Sequence, residues 1–257
     1  MLTLLMQSLL GVALATSSLN LVAEDGSAVH ATGTTVTGST KGVVLAHMVG
    51  RDGSDWEYLS KRLHAVKMST VAVDLRGHGK SAKSGSDLTE ADYKAMVHDL
   101  AAGVAWLRKK GVKEVSCVGA SIGANLCTQL GAADPEIVNL VLLSPGLNYK
   151  GVTSGDALQA YGDRPVMIVA SEDDRFAPRA ASVLEEAAKG QVHYELLAEG
   201  GHGTKMLTRN AKMEGMVTSW LIGSFKLMTG EIVRPQAKIN RSGDTVETSG
   251  KKMQVHQ

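Results

Sequence analysis

The chain has 257 residues, enough for one large domain with a full-sized core, and its 44% hydrophobic and 21% charged residues are ordinary for a globular protein. A formal charge of +1, from 27 basic and 26 acidic side chains, excludes the basic field of a nucleic-acid binder and the acidic block of a solvating tail.

From Leu2 to Ala15 the sequence is nearly all apolar and ends in Ala13-Leu14-Ala15, a small-x-small pattern. The run is short for a membrane span, and residues 1–18 read as a signal peptide cleaved after Ala15, which predicts export to the periplasm or beyond. Against this, the first basic residue is Lys41. A retained segment, packed on the core of a cytoplasmic protein or anchoring the chain at a membrane, is the alternative.

Leu19–Ala23 alternates apolar and polar side chains, Asp25-Gly26 reads as a tight turn, and 28–36 as the return strand of a hairpin. The apolar run Val43–Ala46 predicts a strand covered on both faces, as does Thr70–Val73. Between them, Trp56, Leu59 and Leu63 recur at helical spacing over 55–65. A long helix is predicted from Leu88 to Lys110, capped by Thr89 and stopped by Gly111. Then come a strand at 115–118, a helix at 121–133 and a strand at 140–143. A strand at 166–170, a helix at 178–189, a strand at 192–197 and a last helix at about 205–225 complete the pattern. Strands alternating with helices predict an α/β fold with a mostly parallel eight-stranded sheet covered on both faces. Residues 19–229 form the expected domain, and 230–257 read as a polar, mobile tail. Cys117 and Cys127, in a predicted strand and the next helix, read as small buried apolar side chains that stay unpaired. No cysteine or histidine spacing suggests a metal site.

Gly119-Ala120-Ser121-Ile122-Gly123 matches G-x-S-x-G, with an apolar strand running in and a helix running out. That is the context of a nucleophile elbow, where a serine sits on a sharp strained turn between small neighbours. A nucleophilic serine needs a base. Gly200-Gly201-His202-Gly203 follows the last predicted strand, and its glycines free the loop to aim an imidazole at the strand ends. Of the other histidines, His30, His64, His98, His193 and His256 fall in predicted strand, helix or tail, and His47 and His78 precede the elbow. The base needs an acid to set its tautomer. Glu172, Asp173 and Asp174 follow the strand at 166–170; Asp174 is the choice on its spacing to Pro178, with Asp173 next and Glu172 third. The oxyanion hole is expected from two backbone N–H groups. One is that of Ile122; the other is that of Val49, with Met48 as the alternative. His47 is expected to hold this loop by hydrogen bonds.

On these motifs the chain resembles the α/β-hydrolases, in particular lidless esterases and lipases similar to dienelactone-hydrolase-like and serine-aminopeptidase-like members. Four landmarks occur in the family's order: His47-Met48-Val49-Gly50, Asp74-Leu75-Arg76-Gly77-His78-Gly79-Lys80-Ser81, the elbow, and the Asp174 and His202 pair. The Asp74–Ser81 landmark is similar to the family's D-x-R-G-x-G-x-S turn, which organises the neighbouring loop. Two departures stand out. Met48 replaces the family's glycine, and only 22 residues separate Leu143 from Val166, too few for a cap domain. The resemblance implies an open site and ester hydrolysis through an acyl-enzyme, with a small acyl substrate and no cofactor. Thioesterase and peptidase chemistry would use the same residues, and a non-catalytic binding protein on the same scaffold is the rival of another class. Serine at the elbow argues against dehalogenase or epoxide-hydrolase chemistry, which needs a carboxylate there.

Overall fold

The computed structural model describes residues 13–81 and 88–225. The tail expected from 230 and most of the expected signal peptide lie outside them.

Eight strands form one sheet: β1 (Leu14–Val22), β2 (Ala28–Val36), β3 (Lys41–Ala46), β4 (Met68–Val73), β5 (Glu114–Ala120), β6 (Ile137–Leu143), β9 (Val166–Ser171) and β10 (Val192–Leu197). Their order is β1-β2-β4-β3-β5-β6-β9-β10. The β1–β2 and β2–β4 pairs are antiparallel and the others parallel. The predicted mostly parallel sheet of eight strands is therefore the observed one. β1 begins five residues before the expected strand at Leu19, inside the apolar run, with Leu14 paired to Val36.

Helices cover both faces. α2 (Glu90–Lys109) and α3 (Ile122–Ala133) pack on one face, together with α4 (Gly155–Tyr161) and α5 (Ala177–Ala187). On the other face α1 (Glu57–Ala65), α6 (Lys205–Arg209) and α7 (Met213–Leu221) cover a second core around Leu45, Val118, Val141 and Trp220. The central strands are buried on both sides, which is why Val43–Ala46 and Val166–Ala170 read as unbroken apolar runs. α2 starts as expected at Thr89, whose side chain accepts from Asp92 N–H while Asp92 bonds back, a capping box.

Two expectations are corrected here. The helix expected over 205–225 is two helices. Asn210 leaves helical geometry and its Oδ1 accepts from Lys212 N–H, a local turn that breaks the run. The second correction concerns the cysteines, which form a disulfide with their Cα atoms 5.7 Å apart. Cys117 lies in β5 and Cys127 in α3; the turn at Ser121 folds the helix back along its strand and brings them together.

The residues between β6 and β9 hold only a two-stranded ribbon, β7 (Asn148–Tyr149) with β8 (Val152–Thr153), and the short α4. No cap lies over this end of the sheet among the described residues.

Candidate active site

All parallel strands end on one edge of the sheet, and the singled-out residues lie in the loops there. Ser121 joins β5 to α3 at φ 55°, ψ −119°, outside the regions that residues with a Cβ prefer. The turn is tight because its glycines permit it. A Cβ at Gly119 would lie 2.1 Å from Gly123 O, and one at Gly123 would lie 2.2 Å from Ala46 O. The second contact also seats the start of α3 against the end of β3. Ile122 heads α3, where the first N–H groups have no carbonyl a turn earlier to bond. Ser121 N–H donates to Leu143 O at 2.8 Å, tying the turn to the end of β6.

Asp174 and His202 meet, with Nδ1 of His202 2.6 Å from Asp174 Oδ2. An ionised carboxylate only accepts, so the proton sits on Nδ1 and the lone pair of the neutral ring on Nε2. That is the tautomer a general base requires. Burial pushes the Asp174 carboxyl upward, but the hydrogen bond and charge of His202, with Phe176 N–H and Ser144, outweigh it and hold the pKa below the usual range. Nε2 has no hydrogen-bond partner among the described residues, Ser121 Oγ included. The loops nonetheless lie close together: a Cβ added to Gly203 would come 3.5 Å from the Cβ of Ala120, the neighbour of Ser121.

Asp173 faces away from the ring and holds the loop. Its Oδ1 accepts from Gly201 N–H at 2.8 Å and Gly200 N–H at 3.2 Å, and Arg209 reaches its other oxygen. The Ser171 hydroxyl, then the Gly201 and Gly200 N–H groups, pull its carboxyl down to about 2. The adjacent carboxylates thus have different partners, Asp174 the His202 ring and Asp173 the backbone of the His202 loop. Glu172 N–H donates to Leu197 O, and its side chain takes no part.

The loop after β3 is fixed from below. His47 is fully buried, Nδ1 donates to Met48 O at 2.8 Å, and Nε2 accepts from Leu75 N–H at 3.0 Å. Burial lowers its pKa, so the ring is neutral and spends both nitrogens on backbone. Asp74 accepts from Gly53 N–H, Lys80 N–H and His30 Nδ1, so the Asp74–Ser81 turn organises this loop. Met48 lies against the His202 loop: its sulfur would be 2.7 Å from a Cβ on Gly203 and is 3.9 Å from Thr204 Oγ1. The bulk that replaces the family's glycine is matched by a glycine opposite. Thr204 also donates to Asp55, which pairs with Arg51. Asp55, Asp173 in its clamping role and Ser144 were not reached from the sequence, because the loop groups they hold lie 27 to 149 residues away along the chain.

This architecture, an eight-stranded mostly parallel sheet with a serine on a strained strand-to-helix turn and an Asp–His pair on the same edge, is the α/β-hydrolase fold. The profile described as serine aminopeptidase, S33, matches residues 38–159. Uncharacterized proteins of Mycobacterium bovis and Mycobacterium tuberculosis are 30% identical over 112 residues, which is 43% of this chain and 31% of theirs. The match thus spans about a third of those relatives. Among solved structures, the chain is similar to an esterase of Pyrococcus furiosus, with a TM-score of 0.67 and 18% identity over 81% of this chain and 91% of that one. It is also similar to a dienelactone hydrolase of Anabaena variabilis, with a TM-score of 0.70 and 15% identity over 83% and 99%. At such identities the likeness establishes the fold.

Proposed function

We propose that this protein is a serine hydrolase that cleaves carboxylic esters through an acyl-enzyme. The observation that carries the reading is the Asp174–His202 hydrogen bond of 2.6 Å, formed on the edge where Ser121 occupies its strained turn. Ser121 attacks the acyl carbonyl as Nε2 of His202 takes its proton, and Asp174 stabilises the imidazolium. The N–H groups of Ile122 and Val49, with Met48 as the alternative second donor, receive the oxyanion. His202 then protonates the leaving group, and water releases the acid. Each donor is worth about a hundredfold to a thousandfold in rate. The exposed side chains of Leu147 and Phe176, together with Met48, suit an apolar acyl group. Thioesters and peptides are the competing substrates for the same residues.

The site of action is proposed to be outside the cytoplasm. The Cys117–Cys127 disulfide supports this, since such bonds persist in oxidising compartments. Sequencing of the mature N-terminus tests it: a start at Thr16 is expected, and a start at Met1 refutes cleavage.

The catalytic reading is tested with p-nitrophenyl acetate and butyrate on wild type and Ser121→Ala, with a phosphonate label located by mass spectrometry. Turnover lost in the variant and a label on Ser121 are expected. Folded wild type that neither turns over these esters nor takes the label overturns the reading.

A further inference from the structure

Among the described residues, four other than glycine have positive φ: Lys67, Ser121, Ser144 and Lys150. The two lysines are exposed in turns. The two serines end neighbouring strands, β5 and β6. Ser144, at φ 51°, is 2% exposed. A left-handed conformation costs a residue with a Cβ about 1–2 kcal/mol that glycine avoids. A serine kept there supplies something glycine lacks, and that is its hydroxyl.

The hydroxyl has defined partners. Ser144 Oγ accepts from Gly203 N–H at 2.9 Å, within the buried interior and directly after His202 in sequence. Accepting leaves its proton free to donate, and the hydroxyl is near enough to the Asp174 carboxyl to help hold its pKa down. The backbone of Ser144 is anchored too, with its N–H on Val169 O at 2.8 Å, while the preceding Leu143 O accepts from Ser121 N–H. Ser144 therefore joins the end of β6 to β9 and to the His202 loop after β10, one residue after the carbonyl that holds the turn at Ser121.

We propose that Ser144 is a positioning residue of the hydrolytic site, whose hydroxyl fixes the His202 loop relative to Ser121. The inference rests on the catalytic reading given above. Asp173 holds the His202 loop through Gly200 and Gly201, on the N-terminal side of the ring, and Ser144 holds it through Gly203 on the other. With both in place, the imidazole pivots about neither end. Without the hydroxyl, Gly203 N–H is buried and unpaired, and the loop loses its hold on that side of the ring. The resulting shift displaces Nε2 from the serine, and a misplacement of this kind costs up to about a hundredfold in rate.

The test uses Ser144→Ala and Ser144→Gly in the full chain. Glycine removes the backbone strain as well as the hydroxyl, so a fold that only tolerates Ser144 accepts it. The readouts are kcat and KM with p-nitrophenyl butyrate, the fraction of Ser121 labelled by phosphonate at completion, and Tm. Both variants are expected to label fully, keep KM within about twofold, and lose about tenfold to a hundredfold in kcat per labelled site. In an Asp174→Asn background, adding Ser144→Gly is expected to cost much less, because the two act through the same imidazole. A kcat per labelled site within about twofold of wild type in Ser144→Gly overturns the role of Ser144 and leaves the hydrolase reading standing. Wild type that neither turns over nor labels overturns the hydrolase reading, and the role of Ser144 falls with it.

Discussion

Refolding the chain with Cys117 and Cys127 reduced removes one covalent bond while keeping both sulfur atoms, so it isolates the contribution of the cross-link. The cysteines are 10 residues apart. In the loop-entropy description, closing such a loop restricts the unfolded chain by about 9 cal/mol/K, or about 2.7 kcal/mol at 25 °C. For a domain of this size each kcal/mol moves Tm by about 2–4 °C, so the reduced protein should melt about 5–11 °C lower. Neither sulfur is accessible, so reduction has to be done on unfolded protein before refolding. The assay is thermal unfolding by circular dichroism of both forms, with a thiol count in denaturant. The turn at Ser121 is also held by the Gly119–Gly123 and Gly123–Ala46 approaches, which owe nothing to sulfur. Turnover per folded molecule should therefore be the same in both forms. Two free thiols per chain in unreduced protein, or equal melting temperatures, would refute the reasoning.

Further outcomes are expected from the site and its surroundings. Asp174→Asn should lower kcat by about ten-thousandfold by stranding the wrong tautomer, while Asp173→Asn, which keeps an acceptor for Gly200 and Gly201, should stay within about tenfold; reversed magnitudes in steady-state kinetics would exchange their roles. Because the Asp173 carboxyl sits at about 2 in the folded protein and at 3.8 in a free aspartate side chain, its stabilisation is complete above about pH 4 and lost as pH falls toward 2. Urea midpoints of wild type and Asp173→Asn across that window check this, and parallel curves would remove Asp173 as the cause. Gly203→Ala, at φ 61° and against the Met48 sulfur, should cost about 1–2 kcal/mol in urea unfolding, and Met48→Ala should recover the steric share; additive effects in the double variant would show that the two do not touch. His47 has a folded pKa below 6.5, so the unfolded chain binds its proton first and stability should fall as pH drops below about 6.5. Urea midpoints at pH 7.5 and 5.5 test this, and an unchanged slope in His47→Gln would assign the effect elsewhere, His64 being the next buried imidazole with a lowered pKa.

The order of elements was legible because it depends on local chemistry. Two-sided burial of a parallel strand leaves an unbroken apolar run, as at Val43–Ala46, and the start of α2 is written in Thr89 and its partner three residues on. The break at Asn210 was missed because the apolar period of the helix face carries on across it. Ser121, His202 and Asp174 could be named because each lies in a loop directly after a predicted strand, and parallel topology sends all such loops to one edge. Contacts that depend on how those loops fold could not be read in the same way. The sequence offered no reason to prefer a disulfide, since the approach of Cys127 to Cys117 depends on how sharply the chain reverses at Ser121. Likewise, the division of labour between Asp173 and Asp174 and the hydroxyl of Ser144 under Gly203 are set by distances between loops remote in sequence. Local pattern thus determined the elements, their order and the candidate chemical groups, while the partners of those groups were decided only when the sheet brought its loops together.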